Sequence, residues 1–250
     1  MPTRDTAWPA GTPCWVDYAA LDVEAAQAFY GELLGWTYTD GQPEFGGYFT
    51  CLRQDLAAAG MMPTTDPAQP PGWTTYFAAQ DAEAVSSAIT AAGGSILVPP
   101  MQVGAQGTMV LATDPAGMVF GLWQAGEHTG ARLVNEPGGV VWNEEAVPDP
   151  EVARAFYGDV FGFSFEPVDG APGYTTFAIA DRPLGGLGGL TEGGTPGWST
   201  CFAVASADEA AAYAERAGGA VRTPPSDMPY GRFAVLSDPW SATFSVMQLA

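Results

Sequence analysis

Two carboxylates sit where strand-like alternation pairs each of them with an indole. Asp17 stands in PCWVDYAA and Glu144 in VVWNEEAV. Successive strand residues point to opposite faces, so Trp15 shares a face with Asp17, and Trp142 with Glu144. A carboxylate turned inward from a strand is costly to bury unless it is paired or hydrogen-bonded, and such a group is a candidate general acid or base. The plainer reading of both is a structural hydrogen bond to backbone or to an arginine. Asn143 and Glu145 occupy the opposite face of the second segment, which leaves its register less sharply defined. The tryptophans are equally open, as buried plugs or as stacking platforms for a flat ligand.

The remaining reactive side chains are few. All eight basic residues are arginine, so Schiff-base catalysis and a phosphate-loop lysine are excluded. His128 is the only histidine, which excludes HExxH zinc sites and the two-histidine-one-carboxylate iron triad. It falls between the two halves described below and reads as a solvated bystander. Cys14, Cys51 and Cys201 are scattered and form no CxxC pair, as expected of reduced thiols in a cytoplasmic protein. Cys201 reads as a small buried hydrophobe. The run Gly185 to Gly189 opens no helix and is no dinucleotide loop; with the pairs Pro99-Pro100 and Pro224-Pro225 it reads as connecting loop.

Composition narrows the partners. With 47% hydrophobic and 14% charged residues in 250, the chain is a compact globular protein of one large or two ordinary domains. A net charge of -20 without a basic face repels nucleic acid and anionic membrane surfaces. No stretch approaches the roughly 20 apolar residues that span a bilayer. The opening MPTRDTAWPAGTPCW lacks the charged and apolar regions of a signal peptide.

The elements that hold the carboxylates occur twice. DVEAAQAFYGELLGWTY (22–38) matches DPEVARAFYGDVFGFSF (149–165), and a tryptophan, Trp15 or Trp142, stands seven residues before each leading aspartate. PGWTTYF (71–77) matches PGWSTCF (196–202), AAGGSILVPP (91–100) matches RAGGAVRTPP (216–225), and Asp114-Pro115 matches Asp238-Pro239. Matching segments in the same order mark a duplication. Domains are expected over 1–125 and 139–250, with a linker over 126–138. Within the first half, a strand over 14–19 leads to a helix whose N-cap is Asp22, with Ala25, Ala28, Phe29 and Leu33 as its apolar face and Gly35 as its stop. Short strands follow over 36–39, 47–53 and 56–62. A second unit has a strand over 74–79, a helix over 81–92 ended by Gly93-Gly94, and three strands, the last two over 108–113 and 119–123.

These motifs carry a resemblance. The segment D-x-E-x-A-x-x-F-Y-x-x-x-x-G-[WF] after a strand, followed downstream by DPxGxxFxxW, resembles vicinal oxygen chelate proteins, the glyoxalase, bleomycin-resistance and dioxygenase superfamily. The likeness covers nearly the whole chain, once per half. PCWVD at 13–17 and GRFAVLSDP at 231–239 resemble the two-domain glyoxalase-like proteins of actinobacteria; the first half departs with Gly107-Thr108 where the second has Gly231-Arg232. The resemblance implies an α+β fold of two tandem domains, each of two βαβββ modules forming a curved mixed sheet around a cup. Relatives of the metal-dependent kind hold a divalent metal in that cup. Carried over by spacing, the ligand positions fall on Trp15 and Trp142, near Thr74 and Ser199, and on Gly121 and Ser245. Indole donates only an N–H and glycine has no side chain, so the expectation is a site with no metal and no cofactor.

On the concave face the resemblance places Trp15, Asp17, Thr74, Tyr76, Gly121 and Trp123 in the first half. In the second it places Trp142, Glu144, Ser199, Cys201 and Met247. Aromatic walls with a few polar groups suit a flat organic ligand. The first reading is therefore a metal-free protein that sequesters or carries an aromatic or hydrophobic metabolite or antibiotic, as in the bleomycin-resistance branch. The second is a metal-independent isomerase, cyclase or hydrolase of secondary metabolism with Asp17 or Glu144 as general base. A perturbed carboxylate would favour the enzyme, and two aromatic clefts with unperturbed acids the binder. Because the halves duplicate each other, one chain is expected to make the pseudo-twofold pair by itself and to be a monomer.

Overall fold

The computed structural model describes residues 4–64, 70–190 and 194–250. The first half runs β1 (Pro13–Ala20), α1 (Val23–Leu34), β2 (Thr37–Tyr38), β3 (Phe49–Arg53), β4 (Leu56–Pro63), β5 (Gly72–Ala78), α2 (Ala82–Ala91), β6 (Ser95–Val103), β7 (Gly107–Thr113) and β8 (Val119–Ala125). The second repeats it with β9 (Val140–Val147), α3 (Pro150–Phe161), β10 (Ser164–Pro167), β11 (Thr175–Ile179), β12 (Arg182–Gly189), β13 (Gly197–Ala203), α4 (Ala207–Arg216), β14 (Ala220–Met228), β15 (Gly231–Ser237) and β16 (Thr243–Leu249). Each half is one eight-stranded mixed sheet, in the orders β2-β3-β4-β1-β5-β8-β7-β6 and β10-β11-β12-β9-β13-β16-β15-β14. At each centre two modules meet through an antiparallel pair, β1 with β5 and β9 with β13. The α+β fold of two repeated βαβββ pairs is the architecture expected.

Local chemistry explains the helix ends. The side chains of Asp22, Asp81, Asp149 and Ser206 each accept a backbone N–H of the first turn, filling donors the helix leaves free. Gly35 ends α1 in the left-handed region at φ 68, where a Cβ would strain the backbone.

The helices lie between the two sheets and are shared. Phe29, Tyr30 and Leu34 of α1 pack in one core with Phe202, Ala210, Ala214 and Phe244 of the second half. Ile89 of α2 packs in the other with Phe156, Tyr157 and Phe163. The first module thus backs onto the fourth, and the second onto the third. Thr75 and Thr200, from facing central strands, both donate to Asn143 Oδ1, at 3.1 and 3.3 Å.

Several loop expectations are corrected. Pro99-Pro100 and Pro224-Pro225 lie within β6 and β14, the edge strands, where the register slips between Val98 and Met101 and between Thr223 and Ser226. An edge strand with a bulge tolerates residues that cannot donate to a ladder. Gly185 to Gly189 lies in β12, beside β9. Its glycines admit aromatic rings: a Cβ at Gly185 would run into Phe177 and one at Gly186 into the Tyr174 hydroxyl. The strand expected over 36–39 is only Thr37–Tyr38, because Trp36 turns into the core and donates to Gly138 O at 2.7 Å. Segment 126–138 is also packed: Ala131 N donates to Cys14 O, Arg132 N donates to Ala57 O, and Leu133 is buried. No helix among the described residues is long and apolar enough to cross a membrane.

Candidate functional site

A cavity of about 450 Å³ opens on the concave side of the first sheet. Trp15, Asp17, Tyr48, Tyr76, Trp123 and His128 line its inner part, with Phe45, Met101 and Met109 among the apolar residues around them. Alternation along β1 accounts for this arrangement. Trp15 and Asp17 face the cup, while Val16 and Tyr18 belong to the helix-side core.

The strand register corrects two lining assignments. Trp15 lies opposite Tyr76, and Tyr76 opposite Gly121, so the row through the first-strand position passes through Tyr76. Thr74 lies opposite Asp17 and is not in the cavity wall. Gly121 is not in the wall either, because the Tyr76 ring occupies the space a Cβ there would take. The same row in the second half reads Trp142, Cys201 and Ser245, with Ser199 opposite Glu144.

Asp17 is buried, at 8% exposure, and its Oδ1 accepts from Trp15 Nε1 at 2.7 Å and from the Tyr48 hydroxyl at 2.5 Å. Burial pushes its pKa up to about 6, while hydrogen bonds from Tyr48, Trp15 and Tyr76 oppose the rise. Trp15 Nε1 also reaches the Tyr48 oxygen at 2.8 Å, so the three form a closed cluster. Tyr48 was missed by the sequence reasoning. Its signal is the repeat itself, Gly47-Tyr48-Phe49-Thr50 against Gly173-Tyr174-Thr175-Thr176. Gly60 makes the cluster possible, since a Cβ there would collide with both the Tyr48 hydroxyl and Asp17 Oδ1.

His128 is no bystander. Its ring stands edge-on to Trp15 with centroids 4.4 Å apart, and 5.4 Å from Trp123. The segment after β8 folds back over the cup, and Trp123 Nε1 holds it by donating to His128 O at 2.8 Å. Burial lowers the imidazole pKa to about 4, so the ring is neutral, and its Nε2 is buried without a partner among the described residues. No repeat marks this residue, because it lies beyond the last matched strand of the first half.

In the second half Trp142 Nε1 donates to the Tyr174 hydroxyl at 3.1 Å, and that hydroxyl donates to Glu144 Oε2 at 2.9 Å. Burial raises the Glu144 pKa. Cys201 is buried, and burial raises its thiol far above the ordinary range, which makes it inert. Ser199 and Met247 are half-buried. Where the first cup has Tyr76 and Trp123, the second has Cys201 and Met247. Glu145, on the helix side, is buried at 1% exposure and accepts from the Tyr157 hydroxyl at 2.7 Å.

The residues at the implied metal position do not fit a metal. Trp15 offers an N–H, Tyr76 a phenol whose pKa burial raises well above the ordinary value, and Gly121 nothing. Among the described residues no group of three or more His, Cys, Asp and Glu is placed to hold a metal ion.

Comparison with known proteins places this geometry. The model of the glyoxalase/bleomycin resistance protein/dioxygenase superfamily matches residues 15–122 and again 139–246. CFP32 of Mycobacterium tuberculosis, provisionally named a glyoxylase, is 42% identical over 259 residues, covering 100% of this chain and 99% of its own. The anthracycline biosynthesis protein DnrV of Streptomyces peucetius is 36% identical, covering 98% of this chain and 95% of its own. Among solved structures, the Mn(II)-bound glyoxalase of Novosphingobium aromaticivorans shares the fold with a TM-score of 0.68 at 16% identity, over 96% of this chain and 82% of that one. The chain belongs to the glyoxalase/bleomycin resistance protein/dioxygenase superfamily and carries its domain twice.

Proposed function

We propose that this chain binds a small, flat organic molecule in the first-half cup without the aid of a metal. The observation that carries the reading is the cavity of about 450 Å³ walled by Trp15, Tyr76 and Trp123 around the buried Asp17. That volume lies in the range of roughly 300–1,000 Å³ used for small ligands, and aromatic walls with few polar groups are the usual lining. The Streptomyces relative named for anthracycline biosynthesis supports a polycyclic aromatic ligand from secondary metabolism. Titrating the protein with an anthracycline while following tryptophan fluorescence tests this. Saturable quenching at one equivalent per chain is expected, weakened in Trp15→Phe. No saturable binding of an anthracycline or of simpler planar polycyclics would overturn it.

One observation favours the second reading, a metal-independent enzyme. Asp17 is perturbed to about 6, nearer to the value a general base needs at neutral pH than an ordinary aspartate. In that reading Asp17 takes a proton from a bound ligand, and Tyr48 and Trp15 hold the carboxylate in place. The two readings share one pocket and separate on turnover.

A further inference from the structure

The charge of the first-half cup selects among flat ligands. Two carboxylates reach the cavity, Asp17 in its depth and Glu44 at the rim on the short turn Pro43–Phe45. None of the eight arginines lines it, and the chain has no lysine. The one other titratable nitrogen in the wall, on His128, is neutral. The partners of Asp17 are the neutral donors Trp15, Tyr48 and Tyr76. Its charge is hydrogen-bonded but not balanced.

A buried charge without a counter-charge is costly, and the cost falls when an opposite charge arrives. Here the missing partner is a cation. The faces of Trp15, Tyr76 and Trp123 carry the negative side of the aromatic quadrupole, which attracts cations as well. The neutral imidazole of His128 adds no charge to the wall. An anionic group entering the same space meets two carboxylates, aromatic faces and no counter-ion.

Building on the proposed binding role, we infer that the first-half cup is selective for planar aromatic ligands bearing a protonated amine, and rejects carboxylated or phosphorylated ones of the same size. The ammonium would pair with Asp17 while the ring system stacks on the tryptophans. Glu44 would steer the approach from the rim.

The test uses two tricyclic probes of similar size and opposite charge, the cation proflavine and the anion anthracene-9-carboxylate, titrated by calorimetry into the full chain. The expected result is one site for proflavine, with a dissociation constant at least about tenfold below that of the anion, as unlike charge signs imply in a partly desolvated site. Asp17→Asn should cut that preference severalfold. Glu83→Gln, which removes one exposed charge from α2, should leave it unchanged and so separates the cup from the general attraction of a protein of net charge -20. Equal binding of both probes, or a preference that survives Asp17→Asn, overturns the charge selectivity and leaves the planar-ligand role standing. Failure of both probes to bind overturns the selectivity together with that role.

Discussion

Tyr18 and Glu145 hold the same place in the two halves, each three residues after its tryptophan, and meet the opposite half differently. Tyr18 donates to Asp238 Oδ2 at 2.5 Å, and Tyr30 reaches the same oxygen at 2.9 Å. On the other side of the pseudo-twofold, Asp114 replaces Asp238, and the residue in the place of Tyr18 is a second acid. Glu145 and Asp114 each keep one buried oxygen without a partner among the described residues.

That asymmetry makes stability depend on pH. Burial pushes the Glu145 pKa to about 8 from an ordinary 4.5, with the nearby Asp114 charge adding to the rise. The folded state therefore binds more protons than the unfolded chain between those values, so stability falls as pH rises through about 8. Asp17 has the same sign with its midpoint near 6, and His128, lowered to about 4 from 6.5, acts oppositely between those values. Glu145 has its midpoint inside the window from pH 6.5 to 8.5, and the raised Asp114 and Glu144 act with the same sign, so the Glu145→Gln variant isolates its share. Thermal scans across this window should show the melting temperature falling by about 4–8 °C, as expected for roughly 2 kcal/mol in a chain of this size. Glu145→Gln should flatten the curve; an unchanged slope would place the effect elsewhere.

Trp15 separates packing from recognition. It is 5% exposed, so Trp15→Ala should cost about 3–5 kcal/mol by chemical denaturation. Trp15→Phe keeps an aromatic plug but loses the N–H that reaches Asp17 and Tyr48. It should melt close to the parent while binding a planar ligand less tightly. Full affinity in that variant would move attention to Trp142 and Glu144.

Asp17→Asn keeps the shape and removes the base. If the cup is catalytic, turnover of a proven ligand should rise with pH through about 6 in the parent and collapse in the variant. A pure binder shows no turnover in either protein. Turnover that persists in Asp17→Asn excludes this carboxylate as the base.

Elemental analysis after dialysis should find well under one equivalent of zinc, iron, nickel or manganese per chain. Neither Trp15 nor Gly121 offers a ligating atom, so stoichiometric metal in the cup would overturn the metal-free reading.

Light scattering at micromolar concentration should give a monomer of 26.0 kDa. Each half already covers the helices of the other, so the pseudo-twofold pairing lies within one chain. A stable dimer would require a further surface.

Much of this was legible in the sequence because it was written twice. The duplicated Trp15/Asp17 and Trp142/Glu144 pattern, the N-capping Asp22 and Asp149, and the stop at Gly35 follow from local rules that tertiary packing did not override. The pairing of modules across the halves did not follow, since it depends on which apolar helix faces meet. Gly121 was misplaced because alternation gives a face but not what covers it, and the Tyr76 ring fills the space beside it; Thr74 has the expected face but lies outside the cavity wall. Gly185 to Gly189 misled for a related reason: glycine reads as a turn, yet here the missing side chains make room for Phe177 and Tyr174. His128 was lost because nothing in a polar stretch signals that the chain will fold back across a cup.

The crossed cores have a consequence for how the copies could change. Phe29 and Phe156, Tyr30 and Tyr157, Trp73 and Trp198, and Phe77 and Phe202 are identical across the duplication, and all pack in the helix-side cores. On the concave faces, Tyr76 and Trp123 of the first copy give way to Cys201 and Met247 in the second. A change on a helix-side residue of either copy meets neighbours from the other, as where Glu145 in the place of Tyr18 lies near Asp114, so those positions are not free to change alone. The concave faces answer to no such neighbour. Gene doubling in this chain therefore tied the backs of the two copies together and left their hollows at liberty to diverge.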